Sequence, residues 1–145
     1  MQPIYWKPAF ARAADTLFIL FVKKGDWLVL RCGVDIVEIE RVRRCLENPR
    51  FLARCFTEGE RALLASRRHP AETAAGIWAA KEAFVKALGT GFRGVGFQDI
   101  SVLRDRRGKP VLSLSPRAQA LAGGGAIDVS ISHDRTQAVA FVVML

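Results

Sequence analysis

Apolar and polar positions along the chain fall into two periods, and the periods mark out its elements. From Leu28 to Ile36, Leu28, Leu30, Cys32, Val34 and Ile36 alternate with Val29, Arg31, Gly33 and Asp35, the period of two expected of a strand. Ile39, Val42 and Leu46 then stand at helical spacing with Arg41, Arg43 and Arg44 between them, until Asn48-Pro49 interrupts. Thr57, followed three residues later by Glu60 and then by Leu63-Leu64, is a capping-box signature, which predicts a helix from Glu58 that ends before His69-Pro70. A longer Ala-rich helix is predicted from about Glu72 to Leu88, closed by Gly89. Strands over Ile100 to Arg104 and Val111 to Ser115 flank a turn-forming linker, Asp105 to Pro110. After a short Ala-rich helix and Gly123-Gly124-Gly125, two more strands follow, Ile127 to Ser132 and Gln137 to Met144. Residues 1–28 show no sustained period and read as an extension; residues 29–145 read as one α+β domain.

Two charged positions stand out against this pattern. In residues 74–88 apolar side chains point in nearly every direction and only Lys81, Glu82 and Lys86 are charged, as in a central, buried helix, where a charge is tolerated only when paired or bound to an ion. Glu82 and Lys86 lie four apart, so a surface ion pair is one reading of them. Asp35 sits among Val34, Ile36 and Val37, although aspartate is depleted in strands; it is either a cap at the strand end or a ligand. Asp35 and Glu82 together could hold a magnesium ion, which takes one or two carboxylates and leaves its other positions to water and phosphate oxygens. Lys86 and the glycines of Gly89-Thr90-Gly91 suit a phosphate. His133 ends a predicted strand, where a side chain can reach a cleft.

Composition narrows the setting. The chain has 145 residues and a formal charge of +8, which points to anionic partners and says little about fold. Half of its residues are hydrophobic, enough for a core. Cys32, Cys45 and Cys55 form no CxxC pair, which argues against a disulfide framework or a zinc ribbon; they read as small core residues in a reducing cytoplasm. The longest apolar run, Leu17 to Val22, is too short for a bilayer, which needs about 20 residues, and it lacks a signal-peptide cleavage site. Membrane insertion is not expected. Arg41, Arg43, Arg44, Arg61, Arg67, Arg68 and the cluster from Arg104 to Lys109 raise a nucleic-acid module as the rival class. Against it, there is no aromatic RNA-binding strand and no zinc-finger spacing.

The segments GVDIVEIERV (33–42), FTEGE (56–60), WAAKEAFVKALGTG (78–91), FQDI (97–100), RGKP (107–110) and VSISH (129–133), in this order, resemble holo-acyl-carrier-protein synthase, the short type of 4′-phosphopantetheinyl transferase. The likeness runs from Gly33 to Leu145. It implies a small, mainly antiparallel sheet packed with a long central helix, and transfer of 4′-phosphopantetheine from coenzyme A to a serine of apo acyl carrier protein. It further implies that Asp35 and Glu82 hold magnesium, that Glu82, Lys86 and His133 act in catalysis, and that Lys86 and His133 lie near the coenzyme phosphates. Gly89, Thr90 and Gly91, with Gly108, Lys109 and Pro110, would line the coenzyme site, and Arg41 and Arg44 would receive the acidic helix of the carrier. Homotrimers with active sites between subunits are implied too. The chain departs from the family in two places: Ile77 stands where relatives carry a basic residue before the aromatic, and about thirty residues precede the first strand. For the second departure, translation beginning near Val29 or Leu30 is one expectation; an inactive relative that binds without catalysis is an alternative the first leaves open.

Overall fold

The structure, a computed structural model, describes residues 30–145; the predicted extension over 1–28, the start of the first predicted strand and the translation start lie outside them or at their edge. The period-two run forms β1 (Arg31–Glu38), which passes directly into α1 (Ile39–Leu46). Asn48-Pro49, read from the sequence only as an interruption, instead opens a further helix, α2 (Pro49–Cys55). The Asn48 side chain accepts a hydrogen bond from the Arg50 N–H, and Pro49 takes the first helical position, where its missing N–H costs nothing.

α3 (Glu58–Ala65) carries both bonds of the predicted capping box. α4 (Pro70–Leu88) begins two residues before its predicted start, again on a proline, and ends at Gly89 with φ 76°, a left-handed turn that glycine adopts without steric cost. After a short 3-10 turn (Phe97–Asp99), β2 (Ile100–Arg104) and β3 (Pro110–Leu114) form an antiparallel hairpin. Then come α5 (Pro116–Ala122), β4 (Ile127–His133) and β5 (Gln137–Met144). The last two join β1 in an antiparallel sheet of order β1-β5-β4, so the predicted α+β architecture with its central helix is what the chain forms.

α4 lies across the inner face of this sheet, and small residues set how closely. Ala79, Ala80 and Ala83 are fully buried along it. A Cβ at Gly33 would sit 2.1 Å from the Ala83 carbonyl oxygen, and one at Gly76 would sit 2.8 Å from Ile131 Cγ2. The helix therefore crosses from β4 at its N-terminal half to β1 at its C-terminal half. This close approach also inverts the alternation of β1. Gly33, Asp35 and Val37 face the helix, whereas Cys32, Val34 and Ile36 lie on the outer face, where Val34 and Ile36 are 53% and 60% exposed. The expectation that all three cysteines are core residues holds for Cys55 alone: Cys32 is exposed and Cys45 half-buried.

Lys81 is the charge that the apolar helix buries completely. Its Nζ donates to Glu60 Oε2 at 2.7 Å, to the Cys55 carbonyl at 2.8 Å and to the Phe97 carbonyl at 2.9 Å, using all three of its donors. Glu60 in turn accepts from the Thr57 and Val102 N–H groups. Burial pushes the Lys81 ammonium pKa down and the Glu60 carboxylate opposes that shift. The pair joins α3, α4, the end of α2 and β2 at one point.

Candidate active site

The C-terminal half of α4 and the inner face of β1 meet at a cavity of about 360 Å³. Asp35, Glu82, Arg41, Trp78, Phe51 and Cys45 contribute to its lining. Asp35 reaches it from within the strand, since β1 continues three residues beyond it and Glu38, not Asp35, occupies the helix N-cap position. Glu82 reaches it from the face of α4 turned toward β1. Trp78, one turn earlier, is held in an aromatic run, 5.4 Å from Phe51 and 4.7 Å from Phe97 between ring centroids.

The electrostatics follow from this placement. Burial raises the Glu82 carboxyl pKa above the ordinary glutamate range, the nearby Asp35 charge raises it further, and Lys86 partly offsets both. Lys86 makes its ion pair with Asp35, Nζ to Oδ1 at 2.7 Å, and not with Glu82 as the helical spacing suggests. Two carboxylates converging on one cavity form a hard oxygen donor set, of the kind magnesium takes when phosphate or water completes its shell. Among the described residues no group of three or more His, Cys, Asp or Glu side chains could enclose a metal.

The remaining predicted residues are distributed elsewhere. His133 lines a second, smaller cavity on the other flank of α4 with Glu72, Gly76, Ile77, Arg104 and Pro110. The sheet register explains the separation: Asp35 pairs with Ala140 and His133 with Ala138 on opposite sides of β5, and α4 covers the strand between them. Gly89, Thr90 and Gly91 follow the end of α4. Gly108 turns the β2–β3 hairpin, and Lys109 bonds Asp128 on β4 at 2.7 Å. Arg41 and Arg44 are both exposed on α1. Sequence reasoning passed over Trp78, Phe51 and Cys45 as parts of the cavity. The only signal for Trp78 was its place one turn before Glu82.

The 4′-phosphopantetheinyl transferase superfamily model matches residues 31–141, a span that includes both carboxylates, Lys86 and His133. A holo-acyl-carrier-protein synthase from Gloeobacter violaceus is 48% identical over 127 residues, covering 83% of this chain and 96% of that protein. One from Clostridium botulinum is 47% identical over 115 residues, covering 77% and 94%. The chain belongs to the holo-acyl-carrier-protein synthase family. A crystal structure of such a synthase from Bacillus anthracis, in complex with CoA (3′,5′-ADP), superposes with a TM-score of 0.69 at 39% identity, covering 79% of this chain and 94% of that one. This synthase, like its relatives, is thus a transferase built on a mixed helical and antiparallel fold. Among its described residues no helix is long and apolar enough to cross a membrane.

Proposed function

We propose that the Asp35–Glu82 cavity is where this synthase moves the 4′-phosphopantetheine group of coenzyme A onto a serine of apo acyl carrier protein, in fatty-acid biosynthesis in the cytoplasm. The observation that carries this reading is the convergence of two carboxylates, one with its pKa lifted, on a cavity beside Lys86. Asp35 and Glu82 would hold a magnesium ion, which when bound would supply Lewis-acid neutralisation of the pyrophosphate. The serine oxygen forms a bond to the β-phosphorus as the bond to the leaving 3′,5′-ADP breaks. Glu82 takes the serine proton, directly or through a water, as general base. Lys86 neutralises charge on the transferred phosphate or the leaving group.

Gly89 to Gly91, Gly108 to Pro110 and His133 line the coenzyme site in this reading, and Arg41 and Arg44 dock the acidic carrier helix. His133 and Asp35 occupy separate cavities of one chain, so a single site uses both when two chains contribute to it. A homotrimer with sites between subunits meets that requirement. The exposed apolar outer face of the sheet, with Val34, Ile36 and Phe141, offers the surface for it.

The test is Glu82→Gln, which keeps shape and removes the charge. With coenzyme A, magnesium and apo carrier protein, we expect phosphopantetheine addition, read by mass, to fall by at least about a hundredfold, with an unchanged circular dichroism spectrum. Near-normal turnover at saturating magnesium overturns the assignment. Salt-sensitive binding to nucleic acid, with no transfer, would favour the rival class.

A further inference from the structure

Lys86 is half-exposed, with 51% of its side chain accessible, yet its ammonium turns back onto the protein. Besides the 2.7 Å bond to Asp35 Oδ1, Nζ donates to the Val34 carbonyl at 3.0 Å. A lysine four residues after a glutamate has a ready partner on its own helix, and Lys86 takes the strand instead. The cause is the backbone contact at Gly33, which brings β1 against the last turns of α4. A side chain leaving α4 at position 86 therefore lands on the next inward residue of the strand, Asp35. The Asp35 side chain is only 15% exposed, and this contact occupies one of its two carboxylate oxygens, Oδ1.

We propose that Lys86 is a clamp on Asp35 that competes with the divalent cation for this carboxylate and is drawn off by the coenzyme's phosphates, so that cation and coenzyme bind cooperatively. The proposal rests on the magnesium reading above. Two cations on one carboxylate repel each other, so the clamp weakens cation binding to the free protein. A polyphosphate gives Lys86 a charge-assisted partner of its own and gives the cation its remaining oxygen ligands. By linkage, each ligand then strengthens the other by the same factor.

The experiment measures manganese binding to the full chain by the electron paramagnetic resonance signal of free manganese, with and without saturating coenzyme A and with no carrier protein present. Relative to the unmodified chain, Lys86→Met is expected to bind manganese alone more tightly by roughly fivefold, the scale of one partly exposed ion pair, and to gain less from coenzyme. Arg41→Met removes a positive charge that lines the Asp35–Glu82 cavity but no bond to Asp35, and with no carrier protein present it is expected to leave manganese affinity nearly unchanged. Equal or weaker manganese binding in Lys86→Met, or the same tightening in Arg41→Met, overturns the clamp. If the unmodified chain binds no manganese even with coenzyme present, the magnesium reading itself falls.

Discussion

Glu82 is pulled in opposing directions by its neighbours, and each pull has a named source. Burial and the Asp35 charge lift its pKa, and Lys86 lowers it. Because the folded-state value lies above the unfolded one, this group contributes stability below the ordinary glutamate range and loses it as pH rises through the lifted value. Asp35→Asn removes the repulsion and frees Lys86 to turn toward Glu82, two changes of the same sign. The Glu82 pKa should therefore fall toward the ordinary range in that variant, measured by carbon NMR titration of its side-chain carboxyl; a rise would contradict the geometry. Asp35 was legible in the sequence because an aspartate among valine and isoleucine needs a reason to be there. The partner of Lys86 was not, because helical spacing sees only the same helix, and the competing carboxylate lies 51 positions away on β1.

At the scale of elements, the site depends on how α4 is seated, and two features seat it. The first is Gly33. Any side chain there meets helix backbone, the Ala83 carbonyl oxygen and the Ala87 nitrogen, neither of which can rotate away. Gly33→Ala is expected to cost about 3 kcal/mol or more, at the upper end of overpacking effects, and to lower transfer activity, because the strand that carries Asp35 must retreat from the helix that carries Glu82. Urea denaturation with a parallel activity assay checks both. The second is the buried Lys81–Glu60 pair. Lys81→Met leaves the Glu60 carboxylate and two backbone carbonyls without their cation, and a loss of about 3–5 kcal/mol is expected on denaturation. The capping box and the Gly89 stop were readable because they are local chemistry. That Glu60 would serve both its cap and Lys81 was not, since the partners are 21 residues apart. α2 went unread because Asn-Pro both ends and begins helices, and the pattern alone favoured the ending.

For the whole molecule, the alternation of β1 was legible but its direction was not. Period two says that one face is apolar; it does not say which face meets the helix. Here the apolar residues face outward: Val34 is paired with Phe141 and Ile36 with Val139 across β1 and β5, while glycine and aspartate face α4. An exposed apolar sheet face of this kind is expected to be covered by protein. A second copy covers it in the homotrimer we propose, and the same assembly would bring His133 of one chain to the Asp35–Glu82 cavity of another. Phe141→Asp places a charge in that face and is expected to yield a particle of one-third the mass by light scattering, with activity lost alongside assembly. Loss of activity alone would not separate assembly from damage, so complementation supplies the decisive measurement. Glu82→Gln and His133→Ala chains are each expected to be impaired as pure proteins. Co-expressed, they mix at random, and roughly a quarter of the sites between subunits would draw an intact Glu82 from one chain and an intact His133 from its neighbour. Activity of the mixture well above that of either parent is the expected outcome. If each site is instead complete within one chain, mixing restores nothing and the shared-site assembly is wrong.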